Sequence, residues 1–163
     1  FGLYGNSIFK GNWPQVVIDR IAERSLLEGF PESRLPVFSA EEIDYIKGTY
    51  DFLALNHYGT HMVNATTEAV IGDPSYAADI SVVPWGLRNL LVWLKNTYGD
   101  IEIIITENGL SDRSGTLDDY HRVAYFQTYL SACLDAIYED GVNLSTYVAW
   151  SIIDDWEWTG GFV

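Results

Sequence analysis

A single cysteine, nine basic residues against twenty-three acidic ones, and no apolar run of membrane length are what the chain lacks or has little of. The lone Cys133 excludes an intrachain disulfide and is expected to pack as a small apolar side chain. A formal charge of −14 speaks against nucleic acid or an anionic membrane as a partner. No stretch approaches the ~20 consecutive apolar residues of a membrane span. There is no initiator methionine and no signal segment, and both ends are apolar (Phe1-Gly2-Leu3-Tyr4 and Phe162-Val163), so the chain reads as cut from something larger. What is abundant is apolar and aromatic. A hydrophobic content of 48% supports a core, while 15% aromatic residues, with 6 Trp and 11 Tyr, is more than a core needs. Sugar-binding clefts are one use for that surplus, because aromatic faces pack against the C–H faces of sugar rings.

The most informative stretch is Ile101-Glu102-Ile103-Ile104-Ile105-Thr106-Glu107-Asn108-Gly109. Continuous isoleucine suits a parallel strand covered on both faces, and Gly109 marks where the chain leaves it. Reactive groups of α/β proteins sit at the C-terminal ends of strands, which is where Glu107 falls. Simple alternation predicts that Ile101, Ile103 and Ile105 share its face and that Glu102 lies on the other.

Along the chain, Pro14 opens a helix whose stripe is Val17, Ile18, Ile21 and Ala22 and which closes at Gly29. A short helix follows Pro36, with Ser39-Ala40-Glu41-Glu42 as a capping box, Ile43 and Ile46 facing inward and Gly48 as the stop. A buried strand is predicted over about 50–58, turning polar at Asn56-His57-Tyr58. Residues 59 to 83 form a long connection with a turn at Gly72-Asp73-Pro74. Pro84 opens a helix with Leu87, Leu90, Leu91 and Leu94 on one face, ending near Tyr98-Gly99. The second strand, about 101–106, follows at once. Thr116 and Asp119 cap a helix in which Val123, Phe126, Leu130, Cys133 and Ile137 recur at helical spacing until Gly141. The third strand, about 145–151, runs into Ser151 to Gly161.

The pattern is β–α–β–α–β with short helix-to-strand links and long, polar, aromatic links leaving the strands. A fold that places its long loops there builds its site there, as the (β/α)8 barrel does. Three strands are about three-eighths of such a barrel, so residues 1–163 are predicted to be the C-terminal portion of a single barrel domain, a partial (β/α)8 TIM barrel whose N-terminal part is absent. A doubly wound nucleotide fold competes, but no glycine-rich phosphate loop follows any strand. Asn56 and Tyr58 end the first strand on one face, Glu107 ends the second, Trp150 ends the third, and Glu157 and Trp158 lie in its loop. Around one rim these groups suit a neutral polyhydroxylated ligand.

Four motifs in order carry a specific resemblance. Ile105-Thr106-Glu107-Asn108-Gly109 resembles the nucleophile motif of glycoside hydrolase family 1, the β-glucosidase-type retaining enzymes. Asp51-Phe52-Leu53-Ala54-Leu55-Asn56-His57-Tyr58 is similar to that family's Asp-Phe-hydrophobic-Gly-Leu-Asn-X-Tyr strand. Pro84-Trp85-Gly86-Leu87-Arg88 is similar to its Pro-X-Gly-Leu-Arg helix start. Trp150-Ser151-Ile152-Ile153-Asp154-Asp155-Trp156-Glu157-Trp158 resembles its Trp-Ser-Leu-Leu-Asp-Asn-Phe-Glu-Trp segment. Ile8-Phe9 through Asn12-Trp13-Pro14 is a looser match to the segment after the fifth strand. The resemblance implies that Glu107 is the nucleophile, with Tyr58 hydrogen-bonded to it and helping keep it ionised. It also implies that Asn56 holds the sugar 2-hydroxyl, that Glu157 binds hydroxyls of the same ring beside Trp158, and that Trp150 forms the floor.

The chain departs from that pattern at Ala54 for Gly, Asp155 for Asn and Trp156 for Phe. A larger departure is the absence of the family's Asn-Glu-Pro, whose glutamate is the acid/base. Retention needs two carboxyl groups about 5–5.5 Å apart, and the chain carries one of them. The implied activity is therefore hydrolysis of O-glycosyl bonds with retention, in carbohydrate metabolism, with this chain by itself inactive. The alternative is a non-catalytic sugar-binding relative or truncated product. The implied partner is a small-molecule β-glycoside. No cofactor is expected. No metal site is expected either, since His57, His61 and His121 lack zinc-type spacing. His57, between Asn56 and Tyr58, should point to the opposite side, toward the helix layer. Sequons at Asn64 and Asn143 carry meaning only for a secreted protein, the first in an exposed loop and the second at a strand start where modification is not expected.

Overall fold

A computed structural model describes residues 2–60, 84–112, 116–156 and 161. The chain divides into two compact units, Phe1–Asp51 and Phe52–Val163. The predicted connection over 59–83, with His61 and the Asn64 sequon, lies almost wholly outside the described residues, as do Glu157 and Trp158.

The first unit is helical: α1 (Gly2–Lys10), α2 (Gln15–Leu27) and α3 (Ala40–Ile46). Helix α2 starts after Pro14 as the sequence predicts, with Val17, Ile18, Ile21 and Ala22 half-buried. Ser39 and Glu42 form the predicted capping box on α3, each side chain meeting the other residue's backbone N–H. Helix α1 is not foreseen from sequence, because Gly2, Gly5, Asn6 and Ser7 are poor helix formers.

The second unit is a three-stranded parallel sheet with two helices. Strands β1 (Leu53–Asn56), β2 (Ile103–Asn108) and β3 (Leu144–Ala149) lie in the order β1-β2-β3. Helices α4 (Pro84–Tyr98) and α5 (Tyr120–Tyr138) are the α segments of the two crossovers. Gly99, at φ 97, turns the chain from α4 toward β2, a conformation that favours glycine. The core is made by Leu87, Leu91 and Leu94 of α4, Ile103 and Ile105 of β2, and Tyr125, Tyr129 and Cys133 of α5, all nearly inaccessible. Fully burying one such aliphatic side chain contributes about 1.5–3 kcal/mol. Burial pushes the Cys133 thiol up to about 11, in keeping with a packing role.

The motif that begins at Pro84 is structural. Leu87 is core, and a Cβ on Gly86 would fall 2.2 Å from the Thr60 hydroxyl oxygen, so that helix turn packs directly on the chain after β1. Arg88 donates from Nε to Asp140 Oδ2 at 2.7 Å and holds that carboxyl below its usual range. Lys95 Nζ reaches the carbonyls of Asp140 and Gly141, both at 2.7 Å, fastening α4 to the end of α5.

Four expectations need correction. The strand predicted as buried over about 50–58 is shorter, and only Leu55 within it is buried, since one face of the sheet is open. The stripe predicted for α5 is rotated: Val123 and Leu130 are exposed, while Tyr125, Tyr129, Ala132, Cys133 and Ala136 are buried. Two tyrosines take the inner face because Tyr125 finds a buried polar partner for its hydroxyl. Asp119 does stand at the N-cap, but its carboxylate is held by Arg122 instead of capping the helix.

The fourth correction concerns Glu107. Along β2, Leu55 pairs with Ile105 but Asn56 pairs with Glu107, and on the other side Tyr147 pairs with Ile105 while Ala149 pairs with Asn108. Strand β2 thus carries one extra residue against both neighbours, a β-bulge at Thr106. The bulge breaks the alternation. Asn108, not Glu107, shares the buried face with Ile103 and Ile105, and Glu107 is released toward the open face. No described helix is long and apolar enough to cross a membrane.

Candidate active site

The bulge brings two consecutive polar side chains of β2 to the end of β1. Thr106 Oγ1 donates to Asn56 Oδ1 at 2.5 Å. The Tyr58 hydroxyl donates to Glu107 Oε2. Glu107 is half-buried and Tyr58 46% exposed, so the carboxylate is fixed yet open to a ligand. The backbone repeats the link, because His57 N–H donates to the Glu107 carbonyl at 2.9 Å. The predicted neighbours Asn56, Tyr58 and Glu107 are therefore assembled on one rim.

Trp150 stands at the end of β3, its N–H donating to the Asn108 carbonyl at 2.8 Å and its side chain partly exposed. The chain passes so close to β2 here that a Cβ on Gly109 would fall 1.7 Å from the Trp150 carbonyl oxygen. Backbone cannot swing away as a side chain can. Gly109→Ala is thus expected to displace the Trp150 segment and lower stability by about 1–3 kcal/mol, as overpacking does. A thermal midpoint equal to wild type in the intact protein would contradict that contact.

Beyond Trp150, Arg122 of α5 steadies the loop that leads toward Glu157. Its guanidinium donates to Asp119 and, at 2.7 Å, to Asp154 Oδ1, and these carboxylates raise its already high pKa further. A cleft of about 210 Å³ lies there, lined by Arg122, Phe126 and residues 150–154. Glu157 and Trp158 themselves lie outside the described residues, but Trp156 is exposed just before them.

His57 points to the opposite side from Asn56 and Tyr58. It is buried, its Nε2 lies 3.2 Å from Thr60 Oγ1, its ring lies 6.0 Å from that of Tyr129, and burial pushes its pKa down. His121 sits elsewhere, on α5, 3.3 Å from Asp112. Asp112, Asp119 and His121 bring ligand atoms within 4.8 Å of one another; Arg122 pairs with Asp119, and exposed acidic groups of this kind are common without an ion.

The residue that sequence reasoning passed over is Asn108. It is fully buried, with Nδ2 donating to the His57 carbonyl at 2.6 Å and to the Tyr125 hydroxyl at 2.9 Å, while Oδ1 accepts from the Tyr147 hydroxyl at 2.5 Å. Its amide joins β1, β3 and α5 directly beneath Glu107. The available signal was an amide next to the candidate nucleophile in an otherwise apolar strand, together with tyrosines four residues apart on α5.

The glycosyl hydrolase family 1 model matches residues 1–163. Myrosinase 1 of Brevicoryne brassicae is 38% identical over 180 residues, covering 99% of this chain and 38% of its own length. Human cytosolic β-glucosidase is 40% identical over 177 residues, covering 98% and 38% respectively. Among solved structures, the aphid myrosinase superposes with a TM-score of 0.81 at 38% identity over 98% of this chain. A rice β-glucosidase mutant in a covalent complex with Glc does so with a TM-score of 0.74 at 28% identity, again over 98% of this chain. In each case the chain spans 38% of the relative's length. These relatives are glycosidases built on the (β/α)8 barrel, and the parallel sheet with its crossover helices corresponds to part of one. By its sequence over the whole length and by its fold, the chain belongs to glycosyl hydrolase family 1.

Proposed function

We propose that this chain is the C-terminal portion of a retaining β-glycosidase of the β-glucosidase type, which hydrolyses small-molecule β-glycosides. The observation that carries the reading is the Glu107 carboxylate held by the Tyr58 hydroxyl at the C-terminal rim of a parallel sheet. Glu107 is the nucleophile: one carboxylate oxygen attacks the anomeric carbon, the bond to the leaving oxygen breaks, and a glycosyl ester forms on the side chain. Tyr58 orients that carboxylate. Asn56 has its Oδ1 occupied by Thr106, so its NH2 is the end offered to the sugar 2-hydroxyl. Trp150 lies under the ring, and Glu157 and Trp158, carried over from the family motif, bind its remaining hydroxyls.

The acid that protonates the leaving oxygen, and then activates water, is not found in this chain. No Asn-Glu-Pro occurs in it. Glu102 lies at the far end of β2, where its carbonyl meets Leu53 N–H. The proposed acid/base belongs to the part of the relatives' length that this chain does not span. That absence favours one second reading, a sugar-binding relative that keeps the cleft without catalysis.

Sustained hydrolysis of an alkyl β-glucoside by the full-length protein separates the two, because that leaving group must be protonated. A reagent that needs little acid assistance tests the nucleophile itself. With 2-deoxy-2-fluoro-β-glucosyl fluoride, the Glu107 carboxylate displaces fluoride, which leaves with the C1–F electron pair, and the electron-withdrawing 2-fluorine slows hydrolysis of the resulting ester. The full-length protein is expected to be inactivated stoichiometrically, with the added mass on the peptide that contains Glu107. Reversible binding with no covalent adduct would favour the sugar-binding reading.

A further inference from the structure

We propose that Asn108 and Tyr125 are positioning residues that set the Glu107 carboxylate for attack, through a closed circuit of contacts running Glu107–Asn108–Tyr125–Tyr58–Glu107. This rests on the glycosidase reading and deepens it. The first link of the circuit is covalent, since Asn108 follows Glu107 in the chain. The second is the Asn108 Nδ2 donor on the Tyr125 hydroxyl at 2.9 Å. The third is the Tyr125 hydroxyl donating to the Tyr58 carbonyl at 3.1 Å, and the fourth is the Tyr58 hydroxyl on Glu107 Oε2.

Each link has a reason to be stiff. Asn108 is fully buried and Tyr125 only 2% exposed, so water does not compete for their polar groups. The Asn108 amide is further fixed by the His57 carbonyl and by the Tyr147 hydroxyl. Tyr125 is stacked on Tyr129 with ring centroids 4.2 Å apart, which holds its ring in place. Nucleophile and phenol, by contrast, are partly exposed and joined to the scaffold at a bulge and at a strand end. Left to themselves such groups sample many rotamers. The circuit ties the backbone of Tyr58 to the residue after Glu107, so that phenol and carboxylate move as one body. A misplacement of about 1 Å can cost on the order of a hundredfold in rate, so loss of one link is expected to be visible in chemistry before it is visible in affinity.

The test measures trapping of full-length protein by 2-deoxy-2-fluoro-β-glucosyl fluoride over a range of reagent concentrations, which separates the first-order inactivation constant from the binding constant. Tyr125→Phe removes only the hydroxyl. Asn108→Asp keeps the shape and the acceptor for Tyr147 but replaces the donor to Tyr125. Each variant is expected to lower the first-order constant by about tenfold or more, within the range that small misplacements produce, while the binding constant stays within about twofold. A purely structural role would reduce the number of trapped molecules and the melting temperature, yet leave the rate constant of the molecules that react unchanged. That constant is measured per reactive molecule, so partial misfolding of either variant does not imitate the effect. Wild-type first-order constants in both variants would overturn the proposal. Failure of the wild-type protein to be labelled on Glu107 would instead remove the glycosidase reading beneath it, and the proposal with it.

Discussion

Glu107→Ala in the full-length enzyme is expected to lower turnover of an aryl β-glucoside by about four powers of ten or more, the scale on which a lost nucleophile acts. The sugar pocket should survive, because Asn56 keeps its Thr106 partner and Trp150 keeps its backbone bond to Asn108. Affinity for glucose-like ligands is therefore expected to change far less than turnover. Removing the carboxylate also opens a space beside the Tyr58 hydroxyl, below the anomeric carbon, that a small anion can enter. Azide added with an activated aryl glucoside should restore turnover. It attacks from the vacated face in a single displacement, so the product is the α-glycosyl azide, whereas the proposed native route would displace twice and retain the β configuration. Were Glu107 the acid/base instead, azide would attack a glycosyl-enzyme from the opposite face and yield the β-azide. Proton NMR of the product decides between the roles, and a β-azide would overturn the assignment.

Sequence alone reached the fold class and the rim because both follow from strong local signals. Continuous isoleucine with a carboxylate and glycine at its end marks a parallel strand finishing in a functional group. Proline openings and the Ser39–Glu42 box mark helix starts that the structure bears out. Illegible features depend on partners distant in the chain. The bulge at Thr106 is a property of β2 against β1 and β3 together, and nothing within residues 101–109 announces it. Alternation therefore placed Glu107 on the wrong face of its own strand, although its rim position was right. Similarly, Val123 and Leu130 look more apolar than Tyr125 and Tyr129, and only the buried Asn108 amide explains why the tyrosines face inward.

The 163-residue chain expressed alone is expected to be inactive and poorly packed, for two separate reasons. In the order β1-β2-β3, both outer strands present edges that are unpaired among the described residues. Their open face carries exposed Tyr58, Val148 and Trp150. Parallel strands are normally covered on both sides, and uncovered edges invite pairing with other chains. The chain should accordingly bind a hydrophobic dye and associate, and a monomer with one sharp melting transition would count against this. The second reason is chemical. An alkyl leaving group must be protonated as it departs, and among the carboxylates of this chain Glu107 is the proposed nucleophile while Glu157 is proposed to bind sugar hydroxyls. Hydrolysis of an alkyl β-glucoside should be undetectable even for whatever fraction of the chain is folded. A nitrophenyl glucoside needs that proton less, so any residual glycosyl transfer to Glu107 should appear there first, as a single stoichiometric burst of phenol without turnover. Sustained hydrolysis of the alkyl glucoside by the purified chain would mean that an acid within these 163 residues reaches the leaving oxygen, and would sink the view that the catalytic pair is completed from outside this chain.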